Sequence, residues 1–322
     1  MSNRKKNVII TGVTGQDGSY LAKYLLEKNY KIYGVTRNID KFNRANLEYL
    51  GILNHINIKA INLKNYKAVK NLLIQIKPLE IYNLSGVTSV SYSFSNLLET
   101  FESIILPTQN FLESIRSLNI NSKYYNSCSS ECYGNVTKGK SNESNLFKPV
   151  SPYGLAKQIS FNITKYYREK YNIFSSSGIS YNHESPLRGK NFICKKIISE
   201  AIKIKKNKKK SMEIGNLNIS RDWGWAPDFV RAYSKIIKHK QPTDFVICSD
   251  NNHSLKYIIN YVFSKLDLDY KKYVKISKNF IRENDIIRSA GDNSKIISTL
   301  NWEPSYKMSN ILDSMIENEL KK

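Results

Sequence analysis

Residues 7–25 read "NVIITGVTGQDGSYLAKYL". The run "NVIIT" (7–11) is short, apolar and β-branched, the pattern of a parallel strand buried on both faces. "SYLAKYLLEK" (19–28) carries Leu21, Tyr24, Leu25 and Lys28 at helical spacing. Between strand and helix stand Gly12, Gly15 and Gly18. The first glycine permits a tight turn. The second lets the backbone approach a pyrophosphate, and the third lets helix and strand pack closely. A helix N-terminus placed there offers N–H groups and positive dipole to phosphate. In this strand–turn–helix setting, Gly12, Thr14, Gly15, Gln16, Asp17 and Gly18 predict a dinucleotide-binding loop. Asp17 is expected either to brace the turn as an N-cap or to serve the bound nucleotide.

Working outward, the chain alternates. "KIYGVTR" (31–37), "INIKAINL" (56–63), "EIYNLSG" (80–86) and "KYYNSCSS" (123–130) read as strands, whereas "YKAVKNLLIQI" (66–76) and "PTQNFLESIRSL" (107–118) read as helices. Such alternation predicts an α/β fold with a doubly wound parallel sheet, its ligands beyond the C-terminal ends of the strands. Arg37 closes the second strand, where an acidic residue would hold a ribose 2′-hydroxyl. An arginine suits a 2′-phosphate, so NADP is expected, with NAD as the alternative. "DFVRAYSKIIK" (228–238) and "DFVICSD" (244–250) read as a later helix and strand of the same sheet. The expected division is 1–181 plus about 226–250 for the nucleotide, and 182–225 plus 251–322 for a smaller α/β substrate region.

Bulk properties narrow the function. At 322 residues the chain is long for one compact domain and short for three. Fifty Lys and Arg against 27 Asp and Glu leave a net charge of +23. Such a charge fits nucleic-acid binding in principle, yet no zinc-finger, helix-turn-helix or RRM-type signature accompanies it. The abundant Asn and Ile match an AT-rich coding bias instead. The run "KIKKNKKK" (203–210) reads as a solvated helix end. No apolar run reaches membrane-spanning length and "MSNRKKNVII" lacks a signal-peptide pattern, so neither a nucleic acid nor a membrane is an expected partner. Four cysteines without metal-ligand spacing predict no metal site and a reducing, cytoplasmic compartment.

Two groups carry chemistry. One is Ser129–Ser130–Glu131 at the end of a predicted strand; the other is Tyr153 and Lys157, four residues apart and so on one helical face. An ammonium near a phenol stabilises phenolate and lowers the tyrosine pKa. Moving it from about 10 to about 7 takes roughly 4 kcal/mol. Such a tyrosine takes a proton from a substrate hydroxyl.

Together the glycine pattern, the Ser-containing strand end and Y-x-x-x-K resemble the extended short-chain dehydrogenase/reductases that act on nucleotide sugars. "ITGVTGQDGSYLA", "IYNL", "SSE-YG", "SPYG-AK", "NHESP-RG", "GN-RDWG" and "LNW-P" narrow the resemblance to the GDP-mannose 4,6-dehydratase family, from about residue 7 to beyond 303. It implies a Rossmann-like fold, a homo-oligomer and a GDP-sugar substrate. The implied reaction is oxidation at carbon 4, Tyr153 taking the hydroxyl proton as NADP⁺ takes the hydride, then elimination of water across carbons 5 and 6 with Glu131 as base, and hydride return to carbon 6. Ser129 stands where the family usually has Thr and hydrogen-bonds the 4-oxygen. The resemblance adds Asn62, Leu63, Leu84, Ser85, His183 and Arg188 to the cofactor site. To the substrate it assigns Thr88, Ser130, Asn182, Lys196, Arg221, Arg282 and Asp285. Departures from the family pattern are Asn38 for a second Arg, Glu99 for a cofactor-side Tyr, Leu187 for Arg and Trp225 for His. "GVTSV" (86–90) also loses a Gln and a His. A 4,6-dehydratase of another GDP-sugar (an N-acetylhexosamine or a heptose), a nucleotide-sugar 4-epimerase or decarboxylase, and a non-catalytic basic dinucleotide-fold protein are the alternatives.

Overall fold

The computed structural model describes residues 5–40, 42–277, 280 and 285–321. Six strands open the chain: β1 (Lys6–Thr11), β2 (Tyr30–Thr36), β3 (Ile56–Ala60), β4 (Glu80–Asn83), β5 (Lys123–Ser129) and β6 (Ser175–Ser180). Between them run helices α1 (Gln16–Glu27), α2 (Ala45–Tyr49), α3 (Tyr66–Ile76), α4 (Val90–Ser95), α5 (Leu97–Leu118) and α6 (Pro152–Tyr171). The second half holds β7 (Asn182–Glu184), α7 (Ile193–Lys205), β8 (Met212–Ile214), β9 (Ser220–Trp225), α8 (Ala226–Lys238) and β10 (Phe245–Ile247). There follow β11 (Asn252–Ser254), α9 (Leu255–Lys265), α10 (Tyr270–Tyr273), β12 (Val274–Ile276), β13 (Arg288–Ser289), α11 (Ser294–Leu300) and α12 (Met308–Leu320).

Seven strands form one parallel sheet in the order β10-β6-β5-β4-β1-β2-β3. This is the expected doubly wound, Rossmann-like arrangement, and its order reverses between β1 and β4. Strand alternation sends side chains to two cores. Val8, Ile10, Tyr82 and Tyr125 face α1 and α8, while Ile9, Ile81 and Tyr124 face α3 and α5. Both faces being covered, β4 and β6 are buried along their whole lengths, which is why their sequences do not alternate.

A second core gathers α7, α9 and α12 around Ile197, Ile198, Trp223, Ile258, Phe263, Ile311 and Met315. Two small sheets flank it: β11-β9-β13 with β7 on β9, and the pair β12-β8. As expected, α8 and β10 return to the large sheet. A further return was not anticipated. Ile296 and Trp302 also pack on the core of the large sheet, and the Trp302 indole donates to the Asp228 carbonyl at 2.8 Å.

Some boundaries differ from the sequence reading. Pro107 was expected to open a helix, yet α5 runs through it from Leu97. Proline costs a helix one N–H and frees the carbonyl four residues before it. That carbonyl, of Ser103, lies against Gly86, where a Cβ would sit 3.1 Å from it, and the Ser103 hydroxyl accepts the Val87 N–H at 3.2 Å. The strand expected over 56–63 stops at Ala60, because Asn62 turns the chain with its side chain accepting the Lys64 N–H at 3.1 Å. Likewise the strand expected over 80–86 stops at Asn83, where the Thr11 hydroxyl receives the N–H groups of both Leu84 and Ser85 at 3.0 Å.

Candidate active site

The loop after β1 is shaped by its glycines. Gly12 has φ +64°, and a Cβ there would meet the Leu84 carbonyl oxygen at 2.9 Å. At Gly18 the same atom would lie 2.2 Å from the Gly12 oxygen and 2.7 Å from the Val13 Cα. The third glycine is thus required by contact between the helix and the turn that precedes it, and the first by both backbone and contact. Gly15 is exposed and caps α1 without any side-chain bond to the first turn, so that turn presents backbone amides outward. A backbone cradle that side chains would fill, at a helix N-terminus and at the sheet's reversal point, fits a dinucleotide pyrophosphate. Thr14 and Leu84 are half-buried beside it. The Ser85 hydroxyl is turned to Asn83 Oδ1 at 2.9 Å.

Asp17 does not cap the helix. It lies one residue inside α1, and its carboxylate reaches across to the second half of the chain. Oδ2 accepts from His183 Nε2 at 2.8 Å and from the Tyr233 hydroxyl at 2.9 Å, while Oδ1 takes the Gln16 amide at 3.1 Å. Burial alone would raise the Asp17 carboxyl. The charge and hydrogen bond of His183, with Gln16 and the Arg188 charge, outweigh it and bring the pKa down to about 2. His183 is correspondingly fixed. Its Nδ1 faces the Tyr181 carbonyl at 2.7 Å, and its ring stacks on Phe229 with centroids 4.4 Å apart. Gln16 completes the tie, donating to the His183 carbonyl and accepting from the Ser185 hydroxyl at 2.7 Å. Arg188 stands against the buried Glu184 at 3.3 Å and over the Phe192 ring at 3.7 Å.

At the other end of the cradle Arg37 is 91% exposed, and its guanidinium lies 3.7 Å from Glu99. The Leu63 carbonyl accepts from Asn110 at 2.8 Å, holding the turn with Asn62 against α5.

Two elements meet at the C-terminal end of β5. Ser129 ends the strand, and its hydroxyl accepts the Glu131 N–H at 3.3 Å, opening a 3-10 turn over Ser130–Tyr133. Helix α6 begins with Pro152 after Ser151, whose hydroxyl accepts the Gly154 N–H at 3.1 Å. Its first turn lies directly on the 3-10 turn: a Cβ on Gly154 would come within 2.7 Å of the Glu131 carbonyl oxygen. Cys128 and Cys132, 3.6 Å apart at sulfur, bracket the triplet in the core, and the Cys132 thiol donates to the Gly154 carbonyl. Tyr153 and Lys157 are both buried at this junction. The Tyr153 N–H donates to the Ser93 hydroxyl at 3.2 Å.

The sequence reading has Lys157, together with an oxidised nicotinamide, lower the Tyr153 pKa. The Lys157 ammonium donates to the Ser127 carbonyl at 2.7 Å and lies 5.7 Å from the Tyr153 ring centre. Burial pushes the Tyr153 phenol well above its ordinary value; the Ser129 hydrogen bond opposes that and the Glu131 charge adds to it. Burial also lowers Lys157, against the charges of Cys128, Cys132 and Asp17. Spacing on a helix brought the two side chains to one site, where burial is the largest influence on each.

The expected substrate residues form less of a cluster. Arg221, on β9 and largely buried, faces Asp285 at 3.4 Å. Lys196 on α7 lies over the Phe280 ring at 4.1 Å. Asn182 opens β7 half-buried, Thr88 is exposed and Ser130 is buried. Arg282 falls outside the described residues. Residue-level reading of the sequence missed Ser93, Tyr233 and Ser185, which position the site without any motif spacing. It also missed the pairing of Glu99 with Arg37. Among the described residues no three His, Cys, Asp or Glu gather as metal ligands, and no helix is long and apolar enough to cross a membrane.

A family model described as GDP-mannose 4,6 dehydratase matches residues 9–315. The chain is 34% identical over 326 residues to GDP-mannose 4,6 dehydratase 1 of Arabidopsis thaliana, covering 98% of this chain and 90% of that protein. To the GDP-mannose 4,6 dehydratase of Homo sapiens it is 32% identical over 341 residues, covering 98% and 92%. Among solved structures, the dTDP-glucose 4,6-dehydratase DesIV of Streptomyces venezuelae superposes with a TM-score of 0.88 at 16% identity, over 98% of this chain and 97% of that one. The UDP-glucose 4-epimerase of Thermotoga maritima gives 0.87 at 18%, over 98% and 99%. Identities that low carry the fold alone. The sequence relatives extend the likeness across the cradle, the Ser129–Glu131 turn and the Tyr153 helix in one continuous match, and on that ground the chain belongs to the GDP-mannose 4,6-dehydratase family.

Proposed function

We propose that this protein is a GDP-hexose 4,6-dehydratase, with GDP-mannose its first candidate substrate and NADP its cofactor, NAD being the alternative. The observation that carries the reading is the junction of Gly154 with the Glu131 backbone, which brings residues Ser129, Glu131, Tyr153 and Lys157 to one strand end. A 4-epimerase needs the phenol, the ammonium and a hydroxyl; elimination needs a further acid–base group, and Glu131 supplies it.

In this reading Tyr153 accepts the proton of the sugar 4-hydroxyl, with Ser129 holding that oxygen. Lys157 keeps positive charge beside the phenol from its seat on the Ser127 carbonyl. A dinucleotide held in the cradle would supply the redox chemistry, as hydride acceptor from carbon 4 and donor to carbon 6. Once carbon 4 is a ketone, the proton on carbon 5 is acidic, and Glu131 removes it as water leaves carbon 6. Gly12, Thr14, Gly15, Gln16, Asp17, Gly18, Arg37, Asn62, Leu63, Leu84, Ser85, Lys157, His183 and Arg188 would hold the dinucleotide. Asp17 and His183 act by fixing one another and the loop. Thr88, Ser130, Asn182, Lys196, Arg221, Arg282 and Asp285 would hold the GDP-sugar, Arg221 and Arg282 as cations for its pyrophosphate.

We also propose the division expected from the sequence, 1–181 with 226–250 for the nucleotide and 182–225 with 251–322 for the sugar, amended by the return of residues 294–302 to the large sheet. Exposed Phe94 on α4 and Leu97 and Leu98 at the start of α5, with Leu155 on the neighbouring α6, support a homo-oligomer. Four buried cysteines, none in a disulfide, suit the cytoplasm. The test is incubation of the protein and NADP with GDP-mannose, followed by mass spectrometry. Loss of water supports the reading, an unchanged mass with inverted carbon 4 points to an epimerase, and loss of carbon dioxide from a GDP-uronate points to a decarboxylase. Inactivity toward every GDP- and UDP-sugar tested overturns the enzymatic reading.

A further inference from the structure

The adenosine end of the cradle carries a charge arrangement at odds with the rest of this basic chain. Helix α5 begins beside the ends of β2 and β3 and puts two carboxylates there. Glu99 stands 3.7 Å from the Arg37 guanidinium at the end of β2, and Glu102 lies 2.7 Å from Lys64 just after β3. Asn38, uncharged, follows Arg37. A net charge of +23 notwithstanding, both cations near the expected ribose are matched by acids.

We infer that Glu99 sets the choice between the two dinucleotides by competing with a 2′-phosphate for Arg37, so that the site takes NAD with an affinity close to that for NADP. The inference rests on the dinucleotide reading above. A 2′-phosphate held by Arg37 must lie near the Glu99 carboxylate, and like charge opposes it. A ribose 2′-hydroxyl meets no such penalty and can donate to the same carboxylate. Glu99 is not a freely swinging side chain, since its second oxygen accepts the Tyr92 hydroxyl at 2.6 Å. The ion pair itself contributes little to folding, because Arg37 and Glu99 are 91% and 43% exposed. Its consequence is therefore for ligand discrimination, and it is screened by salt.

The experiment is fluorescence titration of the nucleotide-stripped full-length protein with NADPH and with NADH, repeated for Glu99→Gln and Arg37→Ala at low and high salt. The wild type is expected to bind both within about tenfold of one another. Glu99→Gln should tighten NADPH by about five- to tenfold, less at high salt, and leave NADH unchanged or slightly weaker. Arg37→Ala should weaken NADPH and spare NADH. A strong NADPH preference that Glu99→Gln does not move overturns the inference while leaving the dinucleotide site standing. Binding of neither nucleotide by the folded protein overturns the dinucleotide reading, and this inference with it.

Discussion

A methyl group on Gly154 would stand 2.7 Å from the backbone oxygen of Glu131. The contact joins the first turn of α6 to the 3-10 turn after β5, so it sets Tyr153 against Ser129 and Glu131. Two opposing effects bear on Gly154→Ala. Helix propensity favours alanine by about 1 kcal/mol. Overpacking against backbone, which cannot rotate away, costs about 1–3 kcal/mol. The second wins, and the substitution should lower stability by about 1 kcal/mol. Activity should fall further, by at least about tenfold, because the displaced turn carries the reacting groups. Thermal unfolding and turnover measured on one preparation check both parts; a stable, fully active variant would show that the close approach positions nothing.

Asp17 links the glycine loop to the second half of the chain through His183 and Tyr233. Its carboxyl titrates near 2, below the ordinary 3.8, so the folded protein favours the charged form. The resulting stabilisation is fully present above about pH 4 and is lost as pH falls toward 2. It amounts to roughly 2 kcal/mol. Asp17→Asn should remove a similar amount at pH 7 and flatten the acid limb of stability below pH 4. Urea unfolding of both proteins from pH 7 to pH 3 measures this. An equal acid limb in the two proteins would assign the loss to other carboxylates.

How far the sequence alone reached depends on the kind of constraint. Gly12 and Gly18 declared themselves because backbone contact tolerates nothing larger, and β1 declared itself by its β-branched run. Tyr153 and Lys157 could be paired from helical spacing alone. Their protonation could not, because it depends on how deeply the junction is buried and on the Ser127 carbonyl that captures the ammonium. Nor could the partners of Asp17, which lie 166 and 216 residues away. The start of α5 was misplaced because Pro107 reads as a helix opening, whereas the helix runs through it from Leu97, with the Ser103 carbonyl lying against Gly86.

The Tyr153–Lys157 pair makes a pH prediction with a definite sign. Tyr153 acts as base only as phenolate, and its pKa lies above the ordinary value, so kcat/KM should rise with pH on the acid side of the profile. Lys157→Met removes the nearby positive charge and raises the phenol further. The rising limb should therefore move to higher pH, with about tenfold less activity at fixed pH for each unit moved. Tyr153→Phe should be inactive at every pH while unfolding at nearly the wild-type temperature. A Lys157→Met profile of unchanged shape would mean that the ammonium contributes only its bond to Ser127.

Glu131 separates elimination from the other chemistries of the site. Its backbone is held by the Ser129 hydroxyl and by Gly154, so Glu131→Gln keeps the turn and the size of the side chain while removing the base. In heavy water the wild type should exchange the proton at carbon 5 and form the 4-keto-6-deoxy product carrying deuterium there. Glu131→Gln should lose both, with product formation down by about 100-fold or more. Oxidation at carbon 4, with Tyr153 taking the hydroxyl proton, should survive, visible as reduced-nicotinamide absorbance that builds up when the 4-ketone cannot eliminate. Mass spectrometry of the recovered nucleotide sugar distinguishes the cases. Continued deuterium uptake at carbon 5 by the variant would mean that another group removes that proton, leaving Glu131 with a purely structural part at the end of β5.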